Sequence, residues 1–185
     1  MSEVILKGGT ALIDVTDLLK KIGVGPGQIV ADLGCGGGGH FVAPTAIAVG
    51  LSGHVYAVDI QRKVLSSLEA SLRLQNIGNV KLVWSNLEDV GAADIPDGSC
   101  DIVFLANVLF QNDGHEQILR ESARIVKQDG KLVVVDWKQF KAPFGPPDER
   151  KVPPKNVMEL GFSIGLKLVS EFDVGTYHYA VVFRK

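Results

Sequence analysis

With 185 residues, 46% hydrophobic and 22% charged, the chain has the size and composition of one globular unit with a sizeable core, and a single domain over residues 1–185 is expected. A formal charge of −2 and a pI near 6.1 give no general attraction to phosphate backbones, which argues against nucleic acid as a partner. Two cysteines and four scattered histidines exclude a disulfide framework and supply no metal-ligand spacing, and the apolar runs stop short of a membrane span with no signal-type leader, so a cytoplasmic location is expected.

Between residues 11 and 22, Leu12, Val15, Leu18, Leu19 and Ile22 recur at helical spacing, with Gly23 as a stop. Gln28 to Leu33 reads as a strand covered on both faces, and Phe41 to Val49 as a helix of small and apolar residues that tolerates Pro44 near its first turn. His54 to Asp59 forms the next strand. Arg62 to Gln75 places Val64, Leu65, Leu68 and Leu72 on one helical face before the strand Val80 to Ser85. A fourth strand spans Asp101 to Ala106. Asp113, with Glu116 three residues on, is expected to cap a helix whose buried stripe is Ile118, Leu119, Ala123 and Val126, and Gly130 opens the strand Lys131 to Asp136. This alternation implies parallel strands joined by right-handed crossovers in a three-layer α/β sandwich. After a short helix from Pro153-Pro154 to Gly161, the strands Leu166 to Asp173 and Tyr177 to Arg184 are separated only by Val174-Gly175-Thr176, too short for a crossover, and must pair as an antiparallel hairpin. Trp137 to Pro154, with five prolines and mixed charges, reads as a long functional loop.

The first strand breaks into five glycines within six residues, Gly34-Cys35-Gly36-Gly37-Gly38-Gly39. A backbone without Cβ atoms approaches a ligand closely, and the following helix offers free amides, so this is a cradle for a nucleoside or nucleotide. Gly34, Gly36 and Gly39 fit G-x-G-x-x-G, while Asp32, Gly34, Gly36 and Gly38 fit an acidic D-x-G-x-G-x-G. A ligand-free turn would need one or two glycines, not five. Asp59, ending the second strand, is placed to accept hydrogen bonds from both hydroxyls of a ribose.

The run Val30 to Gly38, followed by Gly50-Leu51-Ser52-Gly53-His54-Val55-Tyr56-Ala57-Val58-Asp59-Ile60, resembles the class I S-adenosylmethionine-dependent methyltransferases, in their small type 11 or UbiE-like branch. The likeness extends over nearly the whole chain. It implies a Rossmann-like seven-stranded, mostly parallel sheet of order 3-2-1-4-5-7-6 with strand 7 antiparallel, whereas a dehydrogenase domain would continue parallel. It further implies that Gly34, Cys35, Gly36 and Gly38 wrap under the methionine and ribose of the cofactor, that Asp32 holds the loop or meets the ammonium, and that Ile60 lies against the adenine. The family's adenine-binding acid aligns with Ser85-Asn86-Leu87, where Asn86 departs from the pattern and Glu88 or Asp89 are alternatives. Ala106 and Asn107 would lie beneath the sulfonium.

A general base is needed only where the acceptor loses a proton, and the candidates near the strand ends are Asn107, His115 and Asp136. His40 reads as a cap or cofactor-proximal group, His115 as more exposed than substrate-facing, and His54 and His178 as structural. Trp137, Phe140 and Phe144 are either core closure or walls of a substrate pocket. Lys138, Lys141, Arg150, Lys151 and Lys155 are either solvated loop or a lid over an anionic substrate. The absence of an Asn-Pro-Pro-Tyr or Asp-Pro-Pro-Tyr segment after the fourth strand argues against adenine or glutamine-amide methylation. The expected function is methyl transfer to a small-molecule or unidentified acceptor, the alternative a non-catalytic S-adenosylmethionine- or nucleoside-binding regulatory protein. A nicotinamide-dependent oxidoreductase is disfavoured by the terminal hairpin.

Overall fold

Asp14 opens the first helix, α1 (Val15–Ile22), by accepting the Asp17 amide at 2.9 Å, and Gly23 closes it in the left-handed conformation with its N–H on the Leu19 and Lys20 carbonyls. The helix therefore begins at the cap rather than at residue 11. This computed structural model describes residues 12–139 and 144–185. Phe140 and Lys141 lie outside the described residues.

The strands are β1 (Ile29–Leu33), β2 (His54–Asp59), β3 (Val80–Trp84), β4 (Cys100–Ala106), β5 (Val126–Trp137), β6 (Lys167–Val174) and β7 (His178–Arg184). They form one seven-stranded sheet of order β3-β2-β1-β4-β5-β7-β6. The first five pair in parallel, and β7 runs antiparallel to both β5 and β6. The hairpin's short turn forces that last orientation, as expected.

Side chains alternate across the sheet and divide the core in two. On one face Val30, Val55, Ala57, Phe104, Val133, Val135 and Val182 pack against α1, α2 (Val42–Val49) and α3 (Arg62–Leu74). On the other, Ala31, Leu33, Val58, Leu105, Val134, Val181 and Phe183 pack against α4 (His115–Ile125) and α5 (Pro154–Ser163). Both faces of the central strands are dry, which explains their near-continuous apolar sequences.

Two further local expectations differ from the structure. The cap of α4 is Gly114, not Asp113: the Gly114 N–H donates to Glu88 Oε1 at 2.9 Å, while Asp113 pairs with Arg150 and Glu116 with Arg120. A long-range acceptor thus replaces the capping box. Val126 is not on the helical stripe either; α4 ends at Ile125 and Val126 pairs with Cys100 as the first residue of β5, ahead of a register shift. Among the described residues no helix is long and apolar enough to cross a membrane.

Candidate functional site

Gly34, the first residue after β1, takes a φ of +77°, and a Cβ there would lie 2.5 Å from Val108 Cγ2. Only glycine meets both conditions. The Gly34 and Cys35 amides donate to the Val58 carbonyl at 2.8 and 2.9 Å, tying the loop to β2. The Gly36 N–H donates to Asp59 Oδ2 at 3.2 Å, and the Gln61 N–H to Asp59 Oδ1 at 2.9 Å. One carboxylate therefore fixes both the loop and the start of α3, and its remaining lone pairs are available to a ligand.

Beside this loop opens a cleft of about 320 Å³. Gly34, Gly36, Asp59, Ile60, Asn86 and Leu87 line it, and so do Gln61, Val64, Ser85, Glu88, Val108, Gln111 and Asn112. Ile60 presents its side chain half-exposed at the rim, its carbonyl held by Trp84 Nε1 at 2.7 Å. Asn86 spends its side chain on its own turn, accepting the Glu88 N–H at 3.2 Å and donating to Asp89 at 3.1 Å. Glu88 holds Gly114, so neither Asn86 nor Glu88 is uncommitted.

Other groups named from the sequence stand at the carboxyl ends of β1 and β4 and in the glycine loop. Asp32 is 2% exposed, its Oδ2 has no partner, and burial together with the neighbouring Asp59 pushes its pKa up to about 7. Burial and the same two carboxylates hold the Cys35 thiol far above its ordinary range, which removes it as a nucleophile. Gly38 stands next to His40. Ala106 is buried at the end of β4. Asn107 follows at φ +59°, its N–H on the Val135 carbonyl at 2.8 Å and both side-chain polar atoms buried without a partner.

Asp136 is fully buried, and burial raises its pKa to about 7 against the pull of backbone N–H donors from Trp137 at 2.8 Å and Phe110 at 3.3 Å. Its carboxyl anchors the 3₁₀ turn Leu109–Gln111, whose last residue lines the cleft. His115 is turned elsewhere. Its Nε2 lies 2.9 and 2.8 Å from the Leu109 and Asn112 carbonyls, and its ring borders a second cleft with Phe110, Arg150 and Val152.

The structure thus brings Gly34, Gly36, Asp59, Ile60, Asn86 and Leu87 to one cleft, while Asp32, Cys35, Gly38, Ala106, Asn107 and Asp136 are not among the residues that line it. Val108, Gln111 and Asn112 escaped the sequence reading because no motif marks the 3₁₀ turn that carries them inward. The left-handed turn at Asn107 did leave a signal, since Asn tolerates that conformation better than other non-glycine residues. The described basic loop residues are engaged, Lys138 with Asp173, Arg150 with Asp113, Lys151 with Asp148 and Lys155 with Glu159, while Lys141 lies outside the described residues. That leaves the anionic-substrate lid without support from them. Among the described residues no cluster of His, Cys, Asp and Glu could hold a metal ion.

A family model described as a methyltransferase domain matches residues 31–134, from β1 through most of β5. Among curated proteins, a demethylmenaquinone methyltransferase of Geobacillus sp. is 31% identical over 123 residues, covering 66% of this chain and 51% of the relative. A ubiquinone/menaquinone biosynthesis C-methyltransferase of Vibrio vulnificus is 35% identical over 116 residues, covering 62% and 43%. The chain therefore spans about half the length of the curated relatives it matches. Among solved structures, a SAM-dependent methyltransferase from Aquifex aeolicus superposes with a TM-score of 0.84 at 26% identity, covering 93% of this chain and 89% of that one.

Proposed function

From the premise that this chain belongs to the methyltransferase-domain family, we propose that it binds S-adenosylmethionine in the cleft beside the glycine loop and transfers the methyl group to a small-molecule acceptor. The observation that carries the reading is Asp59, whose carboxylate joins the loop amide of Gly36 to the cleft and keeps lone pairs for two ribose hydroxyls. Two features fit the methionine end. The orphaned, buried Asp32 Oδ2 offers a carboxylate to an ammonium group, and the left-handed Gly34 lets the backbone come close.

The bound cofactor would supply a methyl group made electrophilic by its sulfonium, so the protein's task is alignment and exclusion of water. Asp59 and Ile60 would orient the nucleoside, Asp32 the amino-acid end, and Ala106 and Asn107 the floor beneath the reactive carbon. Asp136 holds the 3₁₀ turn in place from behind and is not itself aimed into the cleft. His115, bound to two carbonyls, serves the same turn.

Calorimetry with S-adenosylmethionine and its demethylated product tests the binding. Asp59→Ala should weaken affinity at least about tenfold, since charge-assisted hydrogen bonds contribute roughly 1.5–3 kcal/mol each; unchanged affinity would overturn the assignment. Because one of the curated relatives carries the name demethylmenaquinone methyltransferase, a short-chain demethylated quinol with methyl-labelled cofactor is the first acceptor to assay. Transfer of label separates an enzyme from a protein that merely binds the nucleoside.

A further inference from the structure

The seven buried side-chain nitrogen and oxygen atoms that lack a hydrogen-bond partner among the described residues belong to five residues: Asp32, Thr45, Asn107, Trp137 and His178. Burying such an atom unpaired costs about 1–3 kcal/mol, so native interiors keep few of them without a purpose. Asp32 and Asn107 belong to the cofactor site described above. Trp137 and His178 do not, and they are neighbours: they pair across β5 and β7, with ring centroids 4.4 Å apart.

Their position follows from register. Ala106 pairs with Val135, and Val135 with Ala180, so one row of small side chains crosses β4, β5 and β7 on the face covered by α1 and α2. Trp137 and His178 occupy the next row of that face, toward the carboxyl ends of the parallel strands. At one edge of three neighbouring strands stand buried polar side chains without a partner among the described residues: Asn107 just after β4, Trp137 at the end of β5 and His178 at the start of β7.

The surroundings narrow the chemistry. The backbone at Gly145 lies against the six-membered ring of Trp137, at the edge remote from Nε1. Phe144 packs edge-on to Trp137 at 6.5 Å and to Tyr177 at 4.8 Å, extending an aromatic wall. Burial, with Lys138 nearby, lowers the His178 pKa to about 4, so its ring is neutral near pH 7 and offers one donor and one acceptor. The Lys138 ammonium is held by the Asp173 carboxylate at 2.9 Å and the Gly175 carbonyl at 3.2 Å, so its charge is matched within the protein.

We propose that Trp137 and His178 form the acceptor subsite, orienting an uncharged planar compound through the indole N–H and the imidazole nitrogens, with Asn107 between acceptor and cofactor. The assignment rests on the methyl-transfer reading and deepens it. Trp137 and His178 are positioning residues for the nucleophile: a ring nitrogen of His178 accepts the hydrogen bond of an O–H or N–H group, and Trp137 donates to a second polar atom. A purely structural closure of the sheet end would be met as well by Phe at both places.

The test uses protein labelled with ¹⁵N-histidine, saturated with S-adenosylhomocysteine and titrated with 1-naphthol as an uncharged hydroxyarene probe. The His178 ring nitrogens should shift on addition of naphthol, and Trp137→Phe and His178→Phe should each weaken naphthol about tenfold or more. His178→Gln, which keeps a polar side chain, should recover part of that loss, and all three variants should bind S-adenosylhomocysteine within about twofold of the parent. Absence of naphthol binding by the parent, unmoved His178 resonances, or unchanged affinity in the Phe variants would overturn the subsite. Failure of the parent to bind S-adenosylhomocysteine would overturn the methyl-transfer reading instead. Should a Phe variant not fold, the resonances of the parent protein decide alone.

Discussion

Two carboxylates under one glycine loop behave differently because their partners differ. Asp59 is satisfied by the Gly36 and Gln61 amides, whereas Asp32 has an orphaned oxygen and a pKa pushed up to about 7 by burial and by Asp59. Below pH 7 Asp32 is mostly protonated in the free protein. A bound cation favours the ionised form, so cofactor binding near pH 6 should release a proton. Affinity should then rise with pH up to about 7 and level off above it. Calorimetry at pH 6 in buffers of different ionisation enthalpy reads this directly: the apparent enthalpy should vary with buffer for the parent and not for Asp32→Asn, and a buffer-independent parent would contradict it. Gly34→Ala is the complementary steric test. It combines a left-handed φ with overlap on Val108 and should destabilise by about 1–3 kcal/mol. Adding Val108→Ala should restore part of the unfolding midpoint by removing the overlap but not the strain; no restoration would show that the clash is relaxed elsewhere.

The β3–β4 crossover shows how a segment without a helix is held in place. Residues 85–99 contain turns only, yet their first residues line the cleft beside the glycine loop. Glu121 on α4, fully buried, accepts the Gly91 and Ala93 amides at 2.7 and 3.2 Å, while Arg124 donates to the Ile95 and Ala93 carbonyls at 2.9 and 3.1 Å and pairs with Glu121 at 2.8 Å. The helix thus provides the hydrogen bonds that the loop backbone lacks. Arg124→Ala would leave the Glu121 charge buried beside bare carbonyls and should cost about 3 kcal/mol in urea unfolding. It should also weaken cofactor binding through the displaced Asn86 and Leu87; a loss under 1 kcal/mol would mean that other contacts retain the loop.

Across the molecule, buried ionisable groups set opposing pH dependences. The folded protein keeps the Asp136 proton up to about pH 7, whereas an unfolded aspartate loses it near 3.8, so this group lowers stability as pH rises from about 4 to 7. His178 acts in the other direction: its pKa falls from 6.5 to about 4 on folding, so its contribution is present above pH 6.5 and is lost as pH falls toward 4. Urea midpoints between pH 4 and 8 should show Asp136→Asn gaining on the parent as pH rises, by on the order of a few kcal/mol across the window. His178→Phe should flatten the acid side. Profiles parallel to the parent would contradict both.

Strand and helix order, the glycine loop, Asp59 and the antiparallel terminal hairpin were all readable from the chain, because each is encoded locally: side-chain period, turn length, and glycine where no other residue fits. Tertiary structure decided the remainder. Asp113 lost its capping role to an acceptor on Glu88, His115 was drawn to two carbonyls, Arg124 reached back to a distant loop, and Trp137 met His178 across two strands. Apart from those of His115, these partners lie far apart along the sequence. Local periodicity specifies which face a residue occupies, but only the register of non-neighbouring strands and the docking of helices on them determine which polar groups meet and which remain unpaired.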